Sequence, residues 1–294
     1  MNESLRAAIE AQGLKVQSIM PLSGGMINQA ARLQTSEGPF FIKVNVSAPP
    51  GLFQKEAEGL RALSATQTVR VPQVLHVAEA TSETPAFLLL EWIESAPPDN
   101  QSDMTRRFVQ DLAQLHQAPA PEKFGWQNDN YLGELSQINT PCASWPQFYR
   151  ECRLEPQISL ARPQKLLPLT REKLLHSVMS RLDDLLGDFQ ARPSLLHGDL
   201  WSGNYITSGQ QTVLVDPAVY YGEREMEIAF IELFGDFPPG FIAAYQHYFP
   251  LQEGYQKRRP LHQLYPLLVH LNHFGETYGI LLDNLCRQIL ENPS

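Results

Sequence analysis

Apolar and polar residues follow a short, strand-like pattern in the first third of the chain. The stretch "AARLQTSEGPFFIKVNV" holds two β-capable runs on either side of a Ser-Glu-Gly-Pro turn, which predicts a β-hairpin. Further on, "VPQVLHVAEA" and "PAFLLLEWIE" each predict a strand, and the continuous apolar run of the second predicts that it is buried. The segment from Val16 to Ile93 is therefore expected to consist mainly of strands.

One segment inside this region has a helical period instead. After a Pro-Pro-Gly break, apolar residues recur every three or four positions at Phe53, Ala57, Leu60 and Leu63. This spacing places them along one face of an α-helix. We expect a single helix there, inserted between the strands.

The pattern changes after "SAPPDNQS" (residues 95–102), whose Pro, Ser, Asp and Asn content is typical of a linker. A helix is predicted from residue 103 onward, with Ser102 or Asp103 as its cap. Its apolar face comprises Phe108, Leu112 and Leu115.

Helical periodicity dominates the rest of the chain. The stretch "TREKLLHSVMSRLDDLLGDF" predicts one long amphipathic helix with an apolar face of Leu174, Val178, Leu182, Leu185 and Leu186. The region from Phe241 onward is again helical in pattern, whereas "NYITSGQQTVLVDP" predicts a small hairpin between the two helical regions. We therefore expect an α+β protein with a β-rich lobe of residues 1–93 and a larger α-helical lobe of residues 94–294.

Composition excludes several classes of protein. With 43% hydrophobic residues among 294, the chain can bury a large core, which argues against disorder. We expect a cytoplasmic protein without a membrane partner, because the start is not signal-like and long uncharged apolar runs are absent. A net charge of −9 disfavours nucleic acid as a partner. Cys142, Cys152 and Cys286 lack CxxC spacing, which disfavours a disulfide framework and a zinc site.

The stretch "LLHGDLWSGNY" concentrates polar residues next to apolar runs. In it Asp199 and Asn204 are separated by four residues, and Asp216 follows after one short hairpin. Phosphoryl transfer needs one carboxylate that accepts a hydrogen bond from the attacking hydroxyl, and a carboxamide and a second carboxylate that hold Mg²⁺. The spacing matches H-R-D-x-x-x-x-N and D-F-G of protein kinases. The alternative is that Asp199 and Asn204 only satisfy backbone groups in a tight turn.

A lone cation, Lys43, interrupts the apolar strand "PFFIKVN". A lysine that points into a core needs a partner, and the following helix offers Glu56 and Glu58. Glu56 lies beside the apolar face of that helix, so we expect it to pair with Lys43 in the kinase arrangement that positions the phosphates of ATP. The alternative is an edge-strand lysine that faces water.

Two further segments would complete a nucleotide site. Gly24 and Gly25 allow a backbone turn to approach phosphates closely, although the segment is neither G-x-G-x-x-G nor a P-loop motif and a plain tight turn fits as well. The strand end before the linker is expected to hydrogen-bond adenine through the backbone of Glu91, Trp92 and Ile93. An ordinary buried strand end is the alternative.

Other chemistries fit parts of the sequence less well. His197, Ser202 and Asp216 would suggest a Ser-His-Asp triad, but a G-x-S-x-G elbow is absent and such a triad leaves Asn204 and Lys43 without a role. A metal site is suggested by four histidines without a recognisable third-ligand spacing, His247, His262, His270 and His273.

The segments around the polar loop resemble one family of small-molecule kinases. "HGDLWSGN" followed by "VDPAVYYGEREMEIAFIELFG" is similar to the signature of the fructosamine kinase family, a relative of aminoglycoside phosphotransferases and choline kinases. The resemblance spans nearly the whole chain and continues in "GGMIN", "FFIKVN", "FQKEAEGLRAL", "LLLEWIE" and "LYPLLVHLNHFGETYG". The D-P-A-x-Y-Y-G-x-R-E segment is specific to the family, whereas H-G-D-x4-N alone is shared by many small-molecule kinases.

This resemblance implies a protein-kinase-like fold and ATP-dependent phosphorylation of a sugar hydroxyl on a ketosamine, the adduct of an amine with a reducing sugar. It implies that Asp199 is the proton acceptor and that Asn204 and Asp216 hold Mg²⁺. It also implies that Lys43 pairs with Glu56 and that Glu91–Ile93 contacts adenine. Glu225 and Glu227 are expected to support the catalytic loop from inside.

Trp201 lies beside the proposed base. An indole there suits the apolar face of a sugar or a stacked amine, and core packing explains it equally well. Its assignment to the acceptor pocket is a hypothesis.

Two rival functions are another small-molecule kinase, acting on an aminoglycoside or a choline-like alcohol, and a non-catalytic pseudokinase that binds a partner. The second is disfavoured because the sequence retains the full kinase set, Lys43, Glu56, Asp199, Asn204 and Asp216. We expect a monomer or a weak dimer.

Overall fold

The computed structural model describes residues 3–22, 28–187 and 189–291. Helix α1 (Glu3–Glu10) is followed by elements in the predicted order: β1 (Val16–Leu22), β2 (Gln29–Thr35), β3 (Gly38–Asn45), α2 (Leu52–Ala65), β4 (Val74–Ala78) and β5 (Ala86–Glu91). The five strands form an antiparallel sheet in the order β1-β2-β3-β5-β4. The predicted hairpin is confirmed as β2–β3, in which Thr35 pairs with Gly38.

Strand β3 separates two environments because successive side chains of a strand point to opposite faces. Ile42 and Val44 pack into an apolar cluster with Leu5 and Ile9 of α1. Lys43, between them, points to the other face and contacts α2. The apolar face predicted for α2 is confirmed, since the buried positions of this helix include Phe53, Ala57, Leu60 and Leu63.

The rest of the chain is mainly helical, with short strand pairs. Its elements are α3 (Gln101–Gln117), β6 (Asn130–Leu132), β7 (Leu135–Gln137), α4 (Trp145–Phe148), a π-helical segment (Tyr149–Leu154), α5 (Glu155–Ala161), α6 (Leu169–Ser180), α7 (Leu182–Leu186), β8 (Pro193–Leu196), a 3₁₀ turn (Ser202–Asn204), β9 (Tyr205–Ser208), β10 (Gln211–Leu214), β11 (Tyr220–Glu223), α8 (Glu225–Phe234), α9 (Phe241–Tyr248), α10 (Tyr255–Phe274), a second 3₁₀ turn (Gly275–Tyr278) and α11 (Gly279–Glu291). The predicted small hairpin is confirmed as β9–β10, and β8 pairs with β11.

Two local expectations were wrong. Helix α3 is capped by Asn100, whose Oδ1 accepts a hydrogen bond from the Asp103 amide at 3.1 Å, so neither Ser102 nor Asp103 is the cap. The long helix expected around residues 170–189 is interrupted at Arg181, where φ is −110° and ψ is 10°. Periodicity does not detect such a break, because the apolar positions of α6 and α7 continue with helical spacing across it.

By contacts within the chain, the protein divides into two compact units. The first comprises residues 1–112, 130–136 and 203–218, and the second comprises residues 113–129, 137–202 and 219–294. The division into a nucleotide-binding part up to residue 93 and a catalytic part beyond it stays a prediction about function. Over the described ranges, the chain has no helix with the length and apolar character needed to cross a membrane.

Helix α10 forms the centre of the second unit and is buried on most of its surface. Pro266 interrupts its hydrogen-bond ladder, because proline has no N–H to donate. The hydroxyl of Tyr149 hydrogen-bonds to the helix just before this proline. It donates to the Leu261 carbonyl oxygen at 2.6 Å and accepts from the Tyr265 amide at 3.3 Å. A side chain from the π-helical segment thus satisfies two backbone groups of α10.

Candidate active site

In the first unit, Lys43 forms the predicted ion pair. Its Nζ lies 2.7 Å from Oε1 of Glu56, and also 2.5 Å from Oδ1 of Asp216. Lys43 is only 5% exposed, so the alternative of a lysine facing water is wrong. Burial disfavours the charged ammonium, but the charges and hydrogen bonds of Asp216 and Glu56 outweigh it and hold the pKa of Lys43 above its ordinary value.

The choice of Glu56 over Glu58 is also confirmed. Glu56 follows the buried Phe53 by one helical turn and precedes Leu60 by another, so it lies on the face of α2 that meets the sheet. Glu58 instead pairs with Lys55, at 3.7 Å on the same helix.

Asp216 has an unusual backbone conformation, with φ of +57°. An aspartate tolerates this left-handed region better than most residues, but the conformation still costs free energy. It directs the carboxylate so that Oδ1 meets Lys43, while the side chain stays 45% exposed. Backbone strain of this kind is concentrated at functional sites.

Asn204 and Asp216 lie at the same end of the β9–β10 hairpin. Tyr205 pairs with Leu214, and one step further the Val215 amide donates to the Asn204 carbonyl oxygen at 3.0 Å. Asp216 is the next residue, so a carboxamide and a carboxylate that are distant in sequence are brought to one edge. Asn204 itself is 5% exposed.

These two side chains fit Mg²⁺ by their chemistry, since both offer hard oxygen donors. Across the described residues, no group of three or more His, Cys, Asp or Glu side chains could hold a metal ion by itself. A site with one or two protein oxygens is typical of Mg²⁺ bound together with phosphates and water. The assignment of Asn204 and Asp216 as ligands stays a prediction.

In the second unit, the loop that carries Asp199 starts from β8. Leu196 pairs with Tyr220 of β11, and the chain then turns at Gly198, where φ is +84°. Glu227 holds this turn: its Oε1 accepts from the Gly198 amide at 2.8 Å and its Oε2 from the His197 amide at 3.3 Å. The support expected from Glu227 is confirmed.

Glu225 has a different role from the one expected. Its carboxylate pairs with Arg258, with Oε1 2.9 Å from Nη2, and accepts the Gln252 amide. It therefore ties α8 to α10 instead of holding the turn before Asp199, which is the role of Glu227.

Two members of the alternative triad, His197 and Asp216, have other partners. Nδ1 of His197 accepts a hydrogen bond from the Asp199 amide at 3.3 Å, and the carboxylate of Asp216 contacts Lys43. Two of the four histidines suggested for a metal site have packing roles. His270 stacks on Phe234 with ring centroids 4.2 Å apart, and burial lowers the pKa of His262 to about 3.

One of the backbone groups predicted to contact adenine is already used inside the protein. The Glu91 amide donates to the Gln73 carbonyl oxygen at 2.9 Å, so this N–H is engaged within the protein. Trp92 is fixed by its side chain, which donates to Glu94 and lies under the Arg32 guanidinium at 4.8 Å. The carbonyl oxygen of Glu91 and the backbone of Trp92 and Ile93 stay the candidates for adenine. Gly24 and Gly25 lie outside the described residues.

Trp201 is 40% exposed, which rules out core packing as its explanation. Its amide donates to the Asp199 carbonyl oxygen at 3.2 Å, so the indole and the carboxylate leave the same tight turn. The next residue toward Asp199, Leu200, is fully buried and anchors the turn. An exposed indole held beside a carboxylate can pack against a bound molecule.

Sequence reasoning missed Arg153, which is fully buried in the second unit. Its guanidinium lies 3.9 Å from the ring centre of Tyr220 and 4.5 Å from that of Phe148, and it donates to Asn139 Oδ1 at 2.9 Å. Burial raises the pKa of Tyr265, which also contacts this cation and is near enough to Asp199 to feel its charge. An arginine inside an otherwise ordinary helical stretch has no sequence signal of burial.

The chain is similar to known proteins along nearly its whole length. The family model described as fructosamine kinase matches residues 2–292. The chain is 44% identical over 275 residues to a probable ketoamine kinase of Enterococcus faecium, covering 93% of this chain and 94% of that protein. It is 38% identical over 272 residues to the chloroplastic protein-ribulosamine 3-kinase of Arabidopsis thaliana, covering 92% and 81%.

Solved structures confirm the expected protein-kinase-like α+β fold. A putative fructosamine-3-kinase from Haemophilus somnus aligns with a TM-score of 0.87 and 30% identity, over 97% of this chain and 96% of that one. The aminoglycoside phosphotransferase APH(4)-Ia aligns with a TM-score of 0.66 over 98% and 97%, and at 18% identity it supports the fold alone. By its sequence over almost its entire length, the chain belongs to the fructosamine kinase family.

Proposed function

We propose that this chain is an ATP-dependent kinase that phosphorylates a sugar hydroxyl of a ketosamine, with Asp199 as the residue that receives the hydroxyl proton. The observation that carries the proposal is the buried Lys43, paired with both Glu56 and Asp216 in a chain of this family. A cation kept charged and fixed from two sides is suited to hold phosphates.

On the donor side, Lys43 neutralises phosphate charge and Glu56 keeps its ammonium in place. Asn204 and Asp216 present oxygen donors at the end of one hairpin. Mg²⁺ held there would neutralise the charge of the β- and γ-phosphates. The backbone of Trp92 and Ile93, with the carbonyl oxygen of Glu91, would hydrogen-bond adenine, and Gly24 and Gly25 would cover the phosphates.

On the acceptor side, Asp199 orients the attacking hydroxyl and takes up its proton. Its position is set by Glu227, which holds the amides of His197 and Gly198, and by the buried Leu200. Alignment supplies much of the rate in such a reaction. The exposed indole of Trp201 would pack against the sugar or the amine of the acceptor.

The substrate class rests on relatives whose names are ketoamine kinase and protein-ribulosamine 3-kinase. We therefore expect ketosamines, fructosamine or ribulosamine adducts, to be phosphorylated in preference to aminoglycosides or choline. We place the reaction in the cytoplasm, carried out by a monomer or weak dimer.

A substrate panel tests the proposal. The purified protein would be assayed with ATP and Mg²⁺ against fructosyl-lysine, ribulosyl-lysine, choline and kanamycin. We expect transfer to one or both ketosamines, and phosphorylation of kanamycin or choline alone would overturn the assignment.

Asp199→Asn tests the mechanism. It should keep its affinity for Mg-ATP in a calorimeter and lose turnover by about a thousandfold. Near-normal turnover would reject Asp199 as the base, and failure of the unaltered protein to bind Mg-ATP would favour the pseudokinase.

A further inference from the structure

A buried chain of hydrogen bonds ends on the loop that carries Asp199. The residue of this series that contacts the loop is Glu227 of α8, whose side chain is 1% exposed. Besides the amides of His197 and Gly198, this carboxylate contacts Nε2 of His116 at 2.9 Å. His116 belongs to the last turn of α3 and is also fully enclosed.

The hydrogen bonds continue from His116 to Tyr245 of α9 and then to Arg224, the residue between β11 and α8. Nδ1 of His116 lies 2.7 Å from the hydroxyl of Tyr245, which is 0% exposed. Nη1 of Arg224 donates to that hydroxyl at 3.2 Å. Arg224 is itself fixed, because it donates to the carbonyl oxygens of Phe249 and Pro250 and lies over the Phe249 ring at 3.6 Å.

Counting donors and acceptors determines which group donates in each hydrogen bond between Arg224 and Glu227. Arginine can only donate, so the oxygen of Tyr245 accepts and its own hydrogen goes to Nδ1 of His116. Nδ1 is then an acceptor, and the proton of the imidazole is on Nε2, where it is donated to Glu227. A doubly protonated His116 would leave the hydroxyl of Tyr245 between two donors.

Glu227 stays ionised despite its enclosure. Burial disfavours its charge, but the hydrogen bond and electrostatic attraction of the His116 N–H, the nearby His197 and the bond from the Gly198 amide outweigh burial and hold the pKa of Glu227 below its ordinary value. Hydrogen bonds to a carboxylate are shorter and stronger than neutral ones. Each oxygen of Glu227 therefore fixes one amide of the turn before Asp199.

We propose that His116 and Tyr245 are positioning residues for catalysis. His116, as the neutral Nε2–H tautomer, connects Glu227 through Tyr245 to the fixed guanidinium of Arg224, and we call this series of hydrogen bonds the relay. The relay holds Glu227 in place, and Glu227 sets the orientation of Asp199. The inference rests on the proposed function, since it needs Asp199 to be the reacting carboxylate. Small displacements of a catalytic group cost large factors in rate, so loss of the relay lowers turnover more than it lowers nucleotide binding.

A matched pair of variants separates positioning from stability. Tyr245→Phe and Tyr149→Phe each remove one fully buried hydroxyl that bonds two partners in the second unit. We expect similar losses of thermal stability, but kcat should fall about tenfold or more in Tyr245→Phe and stay within about twofold of the unaltered protein in Tyr149→Phe. The KM for ATP should change little in both. Equal kcat in the two variants would overturn the proposal.

Two further readouts do not depend on Tyr245→Phe folding. His116→Gln can donate to Glu227 and accept from Tyr245, so it should keep more kcat than His116→Leu, and equal losses would contradict the relay. Nitrogen chemical shifts of the His116 ring near neutral pH should report a neutral Nε2–H imidazole. A doubly protonated ring or an Nδ1–H tautomer would overturn the assignment.

Asp199→Asn, assayed in parallel, separates the two proposals. An active Asp199→Asn rejects the proposed mechanism, whereas an inactive Asp199→Asn together with a fully active Tyr245→Phe rejects only the relay.

Discussion

The ammonium of Lys43 lies 2.5 Å from the carboxylate of Asp216, although the two residues are 173 positions apart in the chain. One belongs to the third strand of the sheet and the other follows the β9–β10 hairpin, and both belong to the first compact unit. Since Glu56 contacts the same ammonium, the charge of Lys43 is fixed from two elements.

Lys43→Met should abolish turnover and destabilise the fold. It leaves the Glu56 carboxylate, whose side chain is only 12% exposed, without its cation, which costs about 3 kcal/mol. The double variant Lys43→Met/Glu56→Gln should recover most of that stability without recovering activity. Urea unfolding and ATP turnover measured on both variants check this.

Lys55→Met is the matched control, because Lys55 forms a partly exposed pair with Glu58 at 3.7 Å on the same helix. It should cost less than about 1 kcal/mol and keep full turnover. A loss of activity as large as that of Lys43→Met would show that any lysine change in this region is harmful.

Stability should fall as pH rises through the range in which Glu223 titrates. Burial raises the pKa of Glu223 from 4.5 to about 7, against the opposing bond from the Arg192 amide. The folded protein therefore binds this proton more tightly than the unfolded chain, and its contribution is present below pH 4.5 and lost as pH rises to about 7. The loss amounts to about 3 kcal/mol.

Glu223→Gln removes the titrating group and should flatten the decline of the urea midpoint over that range. An unchanged slope in Glu223→Gln would assign the pH dependence to other groups.

Trp201→Ala should weaken acceptor binding without unfolding the protein. The indole is 40% exposed, so its removal leaves the core intact, while the loss of an aromatic contact raises the KM for the ketosamine by about tenfold. The KM for ATP should not change. Steady-state kinetics with each substrate varied in turn checks this.

Leu200→Ala is the comparison variant at the neighbouring position, and it should affect stability. Leu200 is 0% exposed, and truncating it should cost about 3 kcal/mol. An unchanged acceptor KM in Trp201→Ala would remove Trp201 from the acceptor site.

Gly279→Ala should loosen the C-terminal helix. An added Cβ would overlap Nη2 of Arg171 and Oε1 of Glu276, which form a two-point ion pair between a buried guanidinium and an exposed carboxylate. The Glu276 carboxylate can move into solvent, but moving the buried Arg171 guanidinium, which Asp283 also holds, costs about 2 kcal/mol, with turnover of the folded protein unchanged. The exposed Thr277→Ala should leave the melting temperature nearly unaltered, and equal effects of the two variants would contradict the steric explanation.

Much of the fold followed from the sequence because its signals are local. Period-two and continuous apolar runs identified β2, β3 and β5, and the three-to-four spacing identified α2. The same spacing placed Glu56 beside Lys43, since a helix position fixes the direction of a side chain. The cap at Asn100 was missed because Asn100, Ser102 and Asp103 are all cap-forming residue types within one short stretch. The break at Arg181 was missed because the apolar spacing continues across it.

The same distinction between local signals and tertiary contacts applies to the candidate site. By itself the sequence determined the loop "LLHGDLWSGNY", the spacing of Asp199, Asn204 and Asp216, and the Lys43–Glu56 pair. Only the tertiary structure decided that Asp216 contacts Lys43, that Trp201 is exposed and that His116 contacts Glu227. Those relationships join residues far apart in the chain, and such partners are chosen by how helices and strands pack, which periodicity along the chain does not encode.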